Sequence, residues 1–146
     1  MVNTYNKGFR SVYKLTAHLV LVTKYRQPVI NREIMNRIDE IVRQTCQKWS
    51  ISLVEFNGES DHVHILIDYP PDVALSKFVA NLKTVTSRLI RRDFREHIQQ
   101  FHRKEAFWTG AYFVASTGAY ANNSRNTSGL RMHLLKLTRY RSKTFV

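Results

Sequence analysis

Two apolar stripes at helical spacing, each flanked by runs of strand character, constrain this chain more than any other feature. The first stripe is Ile34, Ile38, Ile41 and Val42. It follows Asn31, a residue suited to capping a helix, has Glu33 in its first turn, and runs to about Trp49. The second is longer: Val73, Leu75, Phe78, Val79, Leu82, Val85, Leu89 and Ile90. Ahead of the first, "KLTAHLVLVTKYR" (14–26) is rich in Leu, Val, Thr and Tyr and predicts a buried strand. Two further strand-like runs separate the stripes. "SISLVEFNG" (50–58) closes on Asn57-Gly58, a tight-turn signal, and "HVHILIDY" (62–69) is stopped by Pro70-Pro71-Asp72, which can start the second helix. The polar, basic segment "RRDFREHIQQFHRKEA" (91–106) has room for one helical turn, and "FWTGAYFVAST" (107–117) predicts a fourth strand.

The order is β-α-β-β-α-β. It predicts an α+β, ferredoxin-like domain: an antiparallel sheet with both helices on one face and the other face open to a partner. At 146 residues there is material for one domain with a real core, and no internal repeat, low-complexity tract or linker divides it.

The open face explains an odd pair of residues. Side chains alternate along a strand, so Val63, Ile65 and Ile67 share one face and His62, His64, Leu66 and Asp68 the other. The β-branched residues suit the helices. Both histidines then stand on the open face, about 7 Å apart along the strand, where two neutral imidazoles can converge on one cation. An arbitrary His-x-His more often means two half-exposed histidines bonded to neighbours. Here the apolar residue between them, Asp61 just before and the basic chain around them favour the metal.

That basic character is large. There are 23 Lys and Arg against 11 Asp and Glu, a formal charge of +12, which favours a polyanionic partner: DNA, RNA or an anionic membrane surface. The single cysteine, Cys46, falls in the first helical pattern as a small core residue and permits no internal disulfide, so a reducing compartment is expected. No apolar run approaches the roughly 20 residues of a membrane span, and "MVNTYNKGFR" lacks the apolar block of a signal peptide. Lys24, Tyr25 and Arg26 at the end of the first strand, and Lys83, Arg88, Arg91 and Arg92 on the second helix, are the candidate DNA contacts, with Arg103 and Lys104 following. Tyr25, Trp108 and Tyr112 could stack on unpaired bases, although Trp108 and Tyr112 fit a core equally well. His97 and His102 are expected at the surface.

"DHVHILID" resembles the His-hydrophobic-His motif of the single-tyrosine, insertion-sequence-200-like transposases. "AHLVLVTKYRQPVI", "SKFVANLKTVTSRLI" and "FWTGAYFVASTG" match the same family in the same order, over about residues 14–118. The resemblance implies a catalytic domain over 1–118 with the ferredoxin-like fold, a divalent Mg²⁺ or Mn²⁺ held by His62 and His64, and a homodimer. It implies cleavage and rejoining of single-stranded, hairpin-bearing DNA ends through a 5′-phosphotyrosine, in the cytoplasm of a bacterium or archaeon, associated with the nucleoid. His18 also matches a family position and is read as structural. Without carboxylates, two imidazoles would make a weak site for such hard ions.

The match ends in a divergent basic tail, 119–146. The family's nucleophile falls about three helical turns beyond the glycine matched by Gly118, close to Ser128, and no tyrosine stands there. A further glutamine ligand would fall near Met132, beside His133. From Ala106 to Val146 there is no Asp or Glu. Three readings of the tail follow: a working tail with Tyr120 or Tyr140 as nucleophile, a shifted reading frame, or loss of catalysis by drift. One codon choice for residues 122–128, shifted by two bases, encodes Gln-Phe-Ala-Glu-Tyr-Ile, which suits the second. Two rivals to the transposase stand beside it. One is a non-enzymatic, RNA-recognition-like module, disfavoured because histidines occupy the place of its aromatics. The other is a replication initiator or relaxase with the same histidine motif, for which the chain is short.

Overall fold

The structure, a computed structural model, describes residues 5–101 and 106–116. Its main sheet has four strands: β3 (Thr16–Thr23), β4 (Ser52–Glu59), β5 (His62–Asp68) and β6 (Trp108–Ser116). They lie in the order β4-β5-β3-β6, and every neighbouring pair is antiparallel. Helix α1 (Arg32–Lys48) connects β3 to β4, and α2 (Leu75–Asp93) with the short α3 (Arg95–Gln99) connects β5 to β6. This is the expected ferredoxin-like arrangement. Ahead of it, β1 (Asn6–Gly8) and β2 (Ser11–Tyr13) form a small hairpin that the sequence reading did not anticipate. Strands of three residues are too short to carry a legible alternation.

One continuous core lies between sheet and helices. Val63, Ile65 and Ile67 of β5 join Leu19 and Leu21 of β3, Ile34, Ile38 and Val42 of α1, and Phe78, Val79, Leu82 and Ile90 of α2. Burial at roughly 25 cal/mol per Å² makes this contact the main driving force for the fold. Helix α1 starts where expected: the Asn31 side chain accepts the Ile34 amide at 2.9 Å, a cap worth about 1 kcal/mol. Helix α2 starts at Leu75, after the turn at Pro70–Asp72. Cys46 is fully buried, and desolvation pushes its thiol up to about 11, so it is the inert core residue the sequence predicts.

Two local expectations are corrected, and one open alternative is decided. The first strand stops at Thr23, and Lys24–Arg26 form a 3₁₀ turn in which Tyr25 (φ 57°) and Arg26 (φ 53°) take left-handed backbone. Asn57-Gly58 is not a turn: Asn57 pairs with His64 and Gly58 with Val63, the strand continues to Glu59, and Ser60-Asp61 turn the chain instead. Glycine is needed there for space, since a Cβ at Gly58 would meet the His62 carbonyl at 2.5 Å. Trp108, a candidate for base stacking, is buried and donates its indole N–H to Thr86 Oγ1 at 2.8 Å, which ties β6 to α2. The boundary expected at 118/119 and the tail 119–146 lie outside the described residues.

Candidate metal centre

The face turned away from the helices is built by register, and contrary to the expectation of an open face its centre is buried, with Val20 0% and His18 9% exposed. Antiparallel partners share a face, so His62 stands across from Val22 on one side and Glu59 on the other, and His64 across from Val20 and Asn57. Both imidazoles turn away from the helices, as the alternation predicts. Their ring centroids are 4.8 Å apart and their planes nearly perpendicular, at 84°.

Each ring is held at Nδ1. His62 Nδ1 lies 2.6 Å from Asp61 Oδ1, and the other Asp61 oxygen takes the Arg26 guanidinium at 3.2 Å. The turn carrying Asp61 is itself fastened, because its carbonyl accepts both the Thr23 amide at 2.9 Å and the Thr23 hydroxyl at 3.1 Å. Partial burial works to raise the Asp61 carboxyl. The hydrogen bond and charge of His62, together with Arg26, outweigh it and hold the group below the usual carboxylate range. His64 Nδ1 lies 3.3 Å from His18 Nε2.

His18, read from the sequence as structural, stands beside the histidine pair and bonds His64. It is only 9% exposed, and burial lowers its basicity against a weaker opposing pull from Glu55. The available signal was that strand alternation can set His18 and His64 on the same face, away from the helices. What joins them is the β3–β5 register, which places His18 across from Leu66 and so diagonal to His64.

Glu59 was missed. Glu59, Asp61 and His62 each offer a ligand atom, and these atoms lie within 4.8 Å of one another. Glu59 and Asp61 thus stand beside His62, where the sequence reading counted the two imidazoles alone. Two imidazoles with hard oxygen donors beside them suit a divalent cation better than the imidazoles alone. With Nδ1 of each ring turned to a protein partner, Nε2 of His62 and of His64 is the nitrogen that can serve a metal.

The candidate nucleic-acid residues are not gathered on one surface. Lys24, Tyr25 and Arg26 form the 3₁₀ turn that follows β3, directly beyond the clamp at Thr23, and Arg26 reaches Asp61 itself. Tyr25 is 78% exposed, with Lys24 Nζ 5.5 Å from its ring. Lys83 donates to the Thr109 carbonyl at 2.7 Å and lies 6.0 Å over Tyr112, on the helix side of the sheet. Arg88 and Arg92 are exposed on the outer side of α2, Arg91 is half-buried, and Arg92 pairs with Asp93 at 2.9 Å. The sheet stands between these three and the histidines. His97, expected at the surface, is half-buried and bonds the Val29 carbonyl at 2.9 Å. Tyr120, Ser128, Met132, His133 and Tyr140 lie outside the described residues, as do His102, Arg103 and Lys104. Among the described residues no helix is long and apolar enough to cross a membrane.

Comparison with known proteins converges on one group. The chain is 28% identical over 101 residues to the transposase of insertion sequence element IS200 from Salmonella typhimurium, a match covering 69% of this chain and 66% of that protein. The chain thus matches just under two thirds of that relative's length. It is 30% identical over 104 residues to the ISDra2 transposase TnpA of Deinococcus radiodurans, covering 71% of this chain and 70% of the relative. A crystal structure assigned as a transposase from Deinococcus radiodurans superimposes with a TM-score of 0.77 at 27% identity, over 90% of this chain and 96% of that one. A REP-associated tyrosine transposase, solved bound to a REP hairpin, shares the fold at a TM-score of 0.51 and 9% identity, covering 85% of this chain and 67% of that one. The family model described as "Transposase IS200 like" matches residues 11–125, most of the chain, and the chain belongs to the IS200-like transposases.

Proposed function

We propose that this chain binds the single-stranded, hairpin-bearing DNA ends of an insertion sequence and holds Mg²⁺ or Mn²⁺ at His62 and His64 for strand cleavage and rejoining. The observation that carries the proposal is the pair of imidazoles on the sheet face away from the helices, each anchored at Nδ1, with carboxylates beside His62. Bound there, the cation would polarise a phosphodiester oxygen and ease departure of the 3′ oxygen. The chain's own residues do the rest. Asp61 orients His62 and keeps Arg26 beside the site. Lys24 and exposed Tyr25 meet the DNA backbone and an unpaired base at the end of β3, and Lys83, Arg88, Arg91 and Arg92 add a diffuse positive field from the far side. The hairpin-bound fold neighbour supports DNA as the partner. The protein acts as a homodimer where chromosomal DNA is accessible, in a bacterial or archaeal cytoplasm.

The covalent step needs a tyrosine hydroxyl: its oxygen attacks phosphorus, the 3′ oxygen leaves as a hydroxyl, and the bond is conserved as 5′-phosphotyrosine. This chain has Ser128 at the expected place and offers Tyr120 and Tyr140 on either side. A serine hydroxyl is a much weaker acid than a phenol, so the reading is of a protein that binds ends and metal but cleaves poorly. The test is a labelled hairpin oligonucleotide with Mn²⁺, resolved on a denaturing gel. No covalent protein–DNA band is expected from this chain, and a band is expected after the Glu-Tyr-Ile frame is restored. A band that vanishes in Tyr140→Phe or Tyr120→Phe would overturn the inactive reading and name the nucleophile.

A further inference from the structure

We infer that His18 is a positioning residue that accepts the Nδ1 proton of His64 and so fixes the tautomer in which Nε2 of His64 serves the metal. The inference rests on the metal reading above. A neutral imidazole carries one proton, and the nitrogen that bears it has no lone pair to give. His64 therefore binds a cation through Nε2 only when its proton is on Nδ1, and something must accept that proton. For His62 the acceptor is the Asp61 carboxylate at 2.6 Å. For His64 the atom in that place is Nε2 of His18 at 3.3 Å.

The ring geometry fits. The two planes are within 16° and their centroids are 5.2 Å apart, an offset, near-parallel arrangement in which His64 Nδ1 and His18 Nε2 come within 3.3 Å. If the bond ran the other way, with His18 Nε2–H donating, His64 would carry its own proton on Nε2 and be closed to the metal. With His18 as acceptor, its single proton sits on Nδ1. That atom is buried and has no hydrogen-bond partner among the described residues. A buried polar atom left unmatched calls for a reason. The ring orientation that turns Nε2 to His64 is that reason: it satisfies the ligand and strands the far nitrogen. The two ligands are thus held by different chemistry, a carboxylate for His62 and an imidazole for His64, from two different elements.

The test is Mn²⁺ affinity by titration calorimetry on the full chain, with thermal melting to verify folding, in wild type, His64→Ala, His18→Leu and His18→Gln. His18→Leu removes the acceptor and is expected to weaken binding roughly 10-fold, the lower end for such an outer partner. His18→Gln carries an acceptor oxygen near the Nε2 position and is expected to stay within about 3-fold of wild type, a rescue that mere packing at this position would not produce. Nitrogen-15 NMR of the protein loaded with diamagnetic Zn²⁺ gives a readout independent of any variant: His18 should be protonated at Nδ1. A folded His18→Leu with wild-type affinity, or His18 protonated at Nε2 in the loaded protein, overturns the inference while leaving the metal reading intact if His64→Ala still abolishes binding. Failure of wild type to bind Mn²⁺ overturns both.

Discussion

Replacing Asp61 by Asn removes a charge from the centre of the site and leaves its shape. The Asn oxygen can still accept from His62 Nδ1, but the contact at 2.6 Å loses its ionic character. A charge-assisted hydrogen bond is about twice as strong as a neutral one, so the loss is about 1 kcal/mol. The pair with Arg26 is more exposed, with side chains 41% and 21% accessible, and screening limits its share to about 0.5 kcal/mol. Together the change costs about 1–2 kcal/mol, or roughly 3–8 °C in melting temperature for a chain of this size. The same loss of orientation at His62 predicts Mn²⁺ affinity lower by roughly 10-fold or more. Calorimetric titration of Asp61→Asn beside Arg26→Gln separates the two contacts. Arg26→Gln removes only the screened pair and should shift affinity less than about 3-fold. Equal losses in the two variants would refute the argument, because the guanidinium and not the His62 bond would then be holding the site. Unchanged affinity in Asp61→Asn would refute it outright.

Other outcomes follow from the same geometry. The Asp61 carboxyl sits below its ordinary value, so its contribution to stability is present above the unfolded-state pKa of about 3.9 and is lost as pH falls through the lower folded value; melting temperature should fall through that window, and less steeply in Asp61→Asn. Trp108→Phe deletes the indole donor to Thr86 and should destabilise by about 1–2 kcal/mol in chemical denaturation, with Mn²⁺ affinity unmoved because the bond lies on the helix side of the sheet. The protein should prefer single-stranded or hairpin DNA to blunt duplex, with affinity falling steeply as salt rises. By fluorescence anisotropy Tyr25→Ala should cost more than Arg88→Ala, since Tyr25 lies at the strand end nearest the histidines and Arg88 on the far helix.

Much of the architecture was legible because it depends on neighbours in sequence. The spacing of Ile34, Ile38, Ile41 and Val42 and the Asn31 cap specify α1 locally, and the alternation of Val63, Ile65 and Ile67 with His62 and His64 assigns both faces of β5. A pattern of this kind leaves little freedom in fold class. It fails where pairing overrides a local preference. Asn57-Gly58 has turn chemistry, yet the ladder with β5 runs through it, and the close passage of the His62 carbonyl is what requires glycine there. Trp108 fitted a base-stacking platform or a core equally well until the partner of its N–H, Thr86, was known from α2.

The ligand environment belongs wholly to the tertiary structure. His18 is 46 residues from His64, Arg26 is 35 from Asp61, and Glu59 meets His62 only across a strand pair. No local periodicity encodes such distances. They follow from the register in which β3, β5 and β4 pair, and a slip of one residue would turn His18 or Glu59 to the helix side. The sequence by itself determined that two histidines share the sheet face away from the helices; the register, fixed by packing of the opposite face against α1 and α2, decided which groups hold them there.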